Sequence, residues 1–257
     1  MGKNIALITG ASSGLGEEFI RQLQNEELDE IWAVARRKER LDRIAEVSGI
    51  TVRPVPLDLT KQESITVLED LLAAEKPRVR ILINAAGFGK IGAYDEIKRE
   101  EIDRMIDLNC RAAVDVTLIC IPYMQEHDRI LEICSTAGFQ PFQYLNVYAA
   151  SKAFLYRFSR ALRIELHRKK ITVTAVCPYW IRNTEFIPGA QKTKGSTAIR
   201  GFPFSSKKES VVKHALIDSS LRLPVSTPGI MCTLHRIAAK FIPSFIMCWI
   251  WEGIRRL

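Results

Sequence analysis

Short apolar runs alternate with amphipathic stretches along most of the chain. The runs NIALIT (4–9), EIWAVA (30–35), ITVRPVPL (50–57), VRILINAA (79–86), RILEICS (129–135) and ITVTAVC (171–177) are β-branched and apolar at most positions. That pattern marks strands buried on both faces. Between them, residues 17–28, 38–47, 66–75, 101–109 and 153–170 carry apolar residues at helical spacing. Strand and helix in strict alternation predict an α/β fold with a parallel sheet and helices on both of its faces. Right-handed crossovers make that sheet doubly wound.

The pattern changes after Thr184. Residues 185–206 are rich in glycine, proline and serine with little periodicity, and are expected to form a long surface segment of the kind that serves as a lid. Helical spacing returns over 208–221, then a short LPVST run (223–227) ends at Pro228-Gly229. A strongly apolar extension occupies 230–257. With no repeat or low-complexity linker, residues 1–257 read as a single domain, with 185–220 as the lid and substrate region.

Composition narrows the class without naming it. Of 257 residues, 47% are hydrophobic and 26% charged, as in a globular chain with a sizeable core. The net charge of +8, from 37 Lys+Arg against 29 Asp+Glu, favours anionic ligands. Its cations are scattered, with no basic tail and no basic stripe interleaved with aromatics, so nucleic acid is not an expected partner. Six cysteines lie mostly inside apolar runs with no C-x-x-C pair, which predicts reduced thiols in a cytoplasmic protein. The four histidines do not cluster with them, and no metal site is expected. The opening MGKNIALITG reads as a strand and turn rather than a signal peptide.

The first strand runs into TGASSGLG, which opens the first helix. Glycines there permit a tight turn and let the backbone approach a pyrophosphate, which a helix N-terminus also attracts. Gly10, Ser12, Ser13, Gly14, Leu15 and Gly16 are therefore the expected phosphate-side contacts, in a G-x-x-x-G-x-G spacing. At the end of the second strand, NAD-preferring folds place an acid on the ribose hydroxyls. This chain has Ala35 followed by Arg36 and Arg37, which favour a 2′-phosphate and hence NADP(H).

Farther along, Ser135 precedes Tyr148 and Lys152 in a YAASK segment. A free tyrosine, with a pKa near ~10, is a poor base at neutral pH. A lysine one helical turn on is expected to favour its phenolate. Tyr148 can then move a proton at a substrate oxygen, and Ser135 can hydrogen-bond that oxygen.

TGASSGLG, the NAAG at 84–87 and the Ser135–Tyr148–Lys152 spacing together resemble the short-chain dehydrogenase/reductase family over residues 3–185. The resemblance implies a Rossmann-type sheet and an oxidoreductase interconverting a secondary alcohol and a ketone. It also implies that Asn109 is a fourth catalytic member, holding a water that links Lys152 to solvent. Lys152 would in addition bond the nicotinamide ribose. Asp58 resembles the family's adenine-contacting acid, with Leu59 beside it, and Asn84, Ala85 and Gly87 would line the cofactor side of the fourth strand. Family members often form dimers or tetramers, so a homo-oligomer is expected.

The segment CPYWIRNTEF departs from the family pattern, with Tyr179 where a glycine is common and the threonine one residue late. Pro178 and Ile181 are the expected cofactor neighbours there. Substrate contacts are assigned to Ser135, Phe139, Tyr144, Tyr148, Tyr179 and Trp180, with Phe142, Phe186, Phe202 and Phe204 as further aromatic candidates. So aromatic a set predicts a bulky hydrophobic substrate such as a hydroxysteroid, with a 3-oxoacyl group as the alternative. A non-catalytic NADP(H)-binding regulatory protein is a second alternative. The tail FIPSFIMCWIWEGI is shorter than the roughly twenty residues that span a bilayer. It is expected to pack on the core or a partner subunit, or to make peripheral membrane contact. Its Pro-Ser-Phe and tryptophan character resembles the C-termini of 17β-hydroxysteroid and very-long-chain 3-oxoacyl reductases.

Overall fold

A computed structural model describes residues 2–256 except 200 and 203. Six strands follow the apolar runs: β1 (Asn4–Thr9), β2 (Glu30–Ala35), β3 (Val52–Pro56), β4 (Arg78–Asn84), β5 (Arg129–Ile133) and β6 (Thr172–Val176). A parallel pair, β7 (Ile181–Arg182) with β8 (Ser206–Lys207), stands apart from them. The seventh strand of the main sheet is β9 (Val225–Ser226), from the LPVST run. Every pairing in the main sheet is parallel, in the order β3-β2-β1-β4-β5-β6-β9. The expected doubly wound Rossmann-type sheet is what the chain forms.

Alternation along β1 shows how both faces are covered. Ile5 and Leu7 enter one core with Leu68 and Leu72 of α3 (Gln62–Glu75), Val116 of α5 (Ala112–Cys120) and Leu162 of α6 (Asn146–Glu165). Ala6 and Ile8 enter the other. They meet Phe19 and Ile20 of α1 (Gly14–Gln22), Leu41 of α2 (Lys38–Val47), and Val212 and Ala215 of α8 (Lys208–Ser220). Residues 208–220, grouped with the lid in the sequence reading, are thus a core helix packed beside α1. The strand order reverses between β2-β1 and β1-β4, which opens a crevice at the C-terminal ends of β1 and β4.

Helix α4 (Arg99–Ile106) continues through a π turn at Asp107–Arg111 into α5. The sequence reading ended this helix at Asn109, because AAVDVTLIC is apolar all round and shows no amphipathic period. Helix α6 begins at Asn146, seven residues before the apolar spacing becomes visible, so Tyr148 and Lys152 lie on its first two turns. Helix α7 (Phe186–Ala190) lies beside the crevice, in the segment expected to serve as a lid. Pro243 divides the apolar extension into α9 (Ile230–Phe241) and α10 (Ser244–Ile254).

Candidate active site

The crevice is a cleft of about 550 Å³ running from the glycine turn to the aromatic residues after β6. At one end, Gly10 (φ 68°) and Gly14 (φ 59°) adopt left-handed backbone that only glycine takes without strain. A Cβ on Gly10 would stand 2.7–2.8 Å from the backbone of Ala85 and Ala86, so β1 and β4 meet closely here. A Cβ on Gly14 would meet only Thr184, at 3.7 Å, and would project into the cleft. Ser13 caps α1 without a side-chain bond to its first turn. Such a helix N-terminus suits an anion.

The two arginines after β2 are used differently. Arg37 is committed: Nε and Nη2 donate to Ser12 Oγ at 3.2 and 3.1 Å, Nη2 donates to Ser13 Oγ at 2.8 Å, and Nη1 meets Glu185 at 2.8 Å. Arg36 is exposed on the cleft wall with no polar partner among the described residues. No acid at the end of β2 would repel a 2′-phosphate. Asp58 and Leu59 line the same end, where Thr60 donates to Asp58 Oδ1 from its backbone and its hydroxyl. Burial opposes ionisation of Asp58, but those bonds, with Arg36 and Arg104 nearby, hold its pKa below the usual value. The open glycine turn, the free guanidinium and this acid fit a phosphorylated dinucleotide.

At the other end the strand termini and α6 bring Ser135, Tyr148 and Lys152 together. Lys152 Nζ donates to the Ile133 carbonyl at 2.7 Å and lies 5.9 Å from the Tyr148 ring centre. Ser135 follows β5, and its Oγ accepts from Ala137 N at 3.1 Å. All three side chains are buried on the cleft wall. Burial pushes the Tyr148 phenol well above its usual range, with the Ser135 hydroxyl acting the other way. Spacing alone predicted a lysine-stabilised phenolate; in the cleft burial is the dominant influence and favours the neutral phenol. Burial also lowers the Lys152 pKa. Phe186 of α7 covers Tyr148, ring centres 5.3 Å apart, and Gly89 fits beneath both: a Cβ there would come within 2.9 Å of Tyr148 and 3.0 Å of Phe186.

Behind Lys152 lies a second buried carboxylate. Glu132 Oε1 accepts from Thr117 Oγ1 at 2.7 Å and Asn84 Nδ2 at 3.1 Å, while Oε2 has no partner. Burial raises its pKa to about 7, against the pull of those bonds and of Lys152.

Several sequence-predicted residues are placed elsewhere. The Asn84 amide points into the core, donating to Ala113 O, Thr117 Oγ1 and Glu132 Oε1, so it braces β4 against β5 and α5 instead of lining the cleft. Gly16 is also off the cleft; a Cβ there would lie 2.3 Å from Gly10 O, so its role is to let α1 close onto the turn. Asn109, in the π turn, is fully buried and holds both backbone groups of Phe88, Oδ1 accepting at 3.0 Å and Nδ2 donating at 2.9 Å. It sits behind Gly87 near Lys152 and is not part of the cleft wall.

Two substrate-side assignments move as well. Phe139 packs edge-on against Tyr156 and His235, and Tyr144 lies under the Arg255 guanidinium at 4.2 Å. An aromatic residue near a motif gave no sign of which way it pointed. Phe202 packs on Trp180, ring centres 4.7 Å apart, and Phe204 is exposed. The wall is built from Phe142, Leu145, Tyr179, Trp180 and Phe186, together with the expected Ser12, Ser13, Leu15, Ala85, Gly87, Pro178 and Ile181. Thr184, left out of the expected contacts because of its shifted spacing, lines the cleft opposite Gly14. Lys90, Glu101 and Arg104 were also missed; as ordinary charged residues outside any motif they carry no signal in the sequence.

A parallel sheet with this strand order, a glycine turn and a serine–tyrosine–lysine cluster at one cleft define a dinucleotide-type oxidoreductase fold. Residues 4–194 match the short chain dehydrogenase family, and the chain belongs to it. An NADP-dependent 3-hydroxy acid dehydrogenase of Escherichia coli (strain K12) is 36% identical over 186 residues, 71% of this chain and 74% of that protein. The solved short-chain dehydrogenase from Sphingobium yanoikuyae in complex with NADPH is 30% identical, with a TM-score of 0.80 over 95% of this chain and 94% of its own. The bulky-bulky ketone specific alcohol dehydrogenase from Comamonas testosteroni is 26% identical, with a TM-score of 0.73 over 95% and 96%.

Proposed function

We propose that the chain is an NADP(H)-dependent oxidoreductase that interconverts a bulky apolar secondary alcohol and its ketone. The observation that carries this reading is the meeting of Ser135, Tyr148 and Lys152 on one wall of a cleft whose far end holds the glycine turn and the unpartnered Arg36. NADP(H), when bound, supplies the redox equivalent. Gly10, Ser12, Ser13, Gly14 and Leu15 would cradle its phosphates, Arg36 its 2′-phosphate, and Asp58 and Leu59 its adenine end. Ala85, Gly87, Lys152, Pro178, Ile181 and Thr184 would border the remainder.

In the reductive direction, Tyr148 donates its phenolic proton to the oxygen that was the ketone's, and Ser135 hydrogen-bonds that oxygen. A phenol kept neutral by burial is prepared for this step. The tyrosinate left behind then depends on Lys152, whose buried ammonium is held by the Ile133 carbonyl. In the oxidative direction the same phenolate accepts the alcohol proton. Lys90 at the cleft is paired with Glu101 at 2.7 Å, while Arg104 and Lys192 line the same cleft without a carboxylate partner among the described residues.

Phe142, Leu145, Tyr179, Trp180 and Phe186 support an apolar substrate, a hydroxysteroid being one example. Glu185, Phe186, Gly189 and Lys192 border that end, which supports a lid role for their segment. Exposed Leu118 on α5 and Phe154 on α6 support association into a homo-oligomer, and reduced, mostly buried cysteines support a cytoplasmic setting.

The test is a substrate panel with NADP(H) and NAD(H), containing hydroxysteroids, bulky aryl ketones, 3-oxoacyl thioesters and short 3-hydroxy acids. A kcat/KM for the bulky apolar members at least about tenfold above the 3-hydroxy acids is expected. Higher turnover of the short acids would replace the substrate class, and a preference for NADH would overturn the cofactor.

A further inference from the structure

The faces of α9 and α10 that turn away from the core each carry exposed apolar side chains. On α9, Ile230, Leu234, Ile237 and Phe241 recur at helical spacing, and each is more than half exposed. On α10, Phe245, Trp249 and Ile250 repeat the pattern, with Trp249 at 74% exposure. The opposite faces are already used. His235 Nε2 lies 2.9 Å from Gln140 Oε1, Gln143 Nε2 donates to Cys248 O at 3.0 Å, and Trp251 Nε1 donates to Gln143 O at 3.2 Å. Both helices therefore pack on residues 139–143, and each leaves an apolar outer face exposed. Exposed apolar side chains in this number mark a docking site.

Charge selects the occupant. Glu252, the single acid of the two helices, is held by Arg255 and Arg256. Arg236 and Lys240 have no carboxylate partner among the described residues. A second copy pressed face to face would set these cations against their own counterparts with no free acid between them. An anionic bilayer supplies the missing charge. Apolar residues with tryptophan and phenylalanine on one side and cations at the margin are the composition of a helix that lies in a membrane interface. Neither helix is long and apolar enough to cross one.

We propose that α9 and α10 dock on the surface of an anionic lipid bilayer, lying in its interfacial plane. The surface adjoins the cleft: Phe142 on the cleft wall has its ring centre 4.8 Å from that of Trp251 and 5.8 Å from that of His235. An apolar substrate dissolved in the bilayer would have a short route to Tyr148. That consequence rests on the proposed function; the docking does not.

Co-sedimentation of the full chain with vesicles tests the proposal. The chain is expected to bind phosphatidylcholine–phosphatidylglycerol vesicles, and to bind phosphatidylcholine alone roughly tenfold more weakly, with added salt narrowing the gap. The double variant Phe241→Glu/Trp249→Glu changes only exposed side chains, so it should fold and bind NADPH as the parent does while losing the vesicles. Lys240→Glu, a change at an exposed cation beside Phe241, should weaken the preference for anionic lipid. Failure of the parent chain to bind the mixed vesicles overturns the proposal, as does equal binding by the Phe241/Trp249 variant. A parent dimer that this variant turns into monomers, without vesicle binding, would assign the face to a second copy and also overturn it.

Discussion

Glu185 places one carboxylate oxygen 2.8 Å from Arg37 Nη1 and the other 2.6 Å from Arg40 Nη1. The start of the 185–206 segment is thereby tied by charge to the rim of the cleft, and the pairs hold the Glu185 pKa below its usual value. A negative group beside an expected 2′-phosphate site opposes the incoming phosphate. Glu185→Gln should therefore tighten NADPH more than NADH, shifting the ratio of their dissociation constants about two- to fivefold at low salt, a modest effect because the pair is solvent-exposed. Fluorescence titration with both cofactors reads the ratio; an unchanged or reversed ratio counts against competition by Glu185.

The division of labour between neighbouring arginines gives a second expectation. Arg36→Ala removes the unpartnered guanidinium and should weaken NADPH about 10- to 100-fold with little change for NADH, the scale of a lost charge-assisted bond. Arg37→Ala instead releases Ser12, Ser13 and the lid. It should weaken both cofactors and lower thermal stability. The same titration, paired with a melting curve, separates the two.

Gly10 and Gly14 share a left-handed backbone but differ in what surrounds them. Gly10→Ala meets the Ala85–Ala86 backbone and should cost about 2 kcal/mol or more, strain and overpacking acting together. Gly14→Ala carries only the backbone strain of about 1–2 kcal/mol, yet its methyl enters the cleft. It should fold and lose cofactor affinity. Denaturant midpoints and NADPH binding, measured for both, check the contrast.

Two buried titrating groups give stability opposite dependences on pH. Glu132 is raised by burial to about 7, so between the unfolded value near ~4.3 and 7 the unfolded chain loses its proton first and stability falls as pH rises. His235 is lowered by burial to about 4, so its contribution is present above ~6.5 and is lost as pH falls towards 4. Each spans about 3.5 kcal/mol, and in the parent chain the two largely offset. Glu132→Gln should leave stability rising from pH 4.5 to 7, and His235→Gln should leave it falling. Urea midpoints across that range measure both slopes; matching slopes in the two variants would show that these groups do not titrate as described.

Much of this was legible because sheet strands and the glycine turn are local patterns. NIALIT and EIWAVA coincide with β1 and β2, and KERLDRIAEV with α2. What escaped depends on tertiary placement. The start of α6 has no apolar period, since Tyr148 and Lys152 are buried polar groups facing the cleft and Ser151 is a buried polar group bonded to Asn109. Asn84 and Asn109 were recognisable as motif residues, but only the fold shows that the first faces Glu132 and the second grips Phe88. Phe139 and Phe142 lie on the same loop, and their identity could not tell that only the second reaches the cleft. The apolar extension reads as one stretch in the sequence, and its division at Pro243 into α9 and α10 comes only with the fold.

The central claim is that Tyr148 moves the proton at a substrate oxygen in a cleft that holds NADP(H). Turnover and NADPH affinity of Tyr148→Phe, measured side by side on a substrate that the parent chain reduces, test it most directly. The side chain is buried beneath Phe186 and its replacement removes one oxygen, so the fold and the NADPH dissociation constant should stay within about twofold of the parent. The expected loss of kcat is at least about 100-fold, the scale of general acid catalysis. A variant that binds NADPH and still turns over at a parent-like rate would contradict the account.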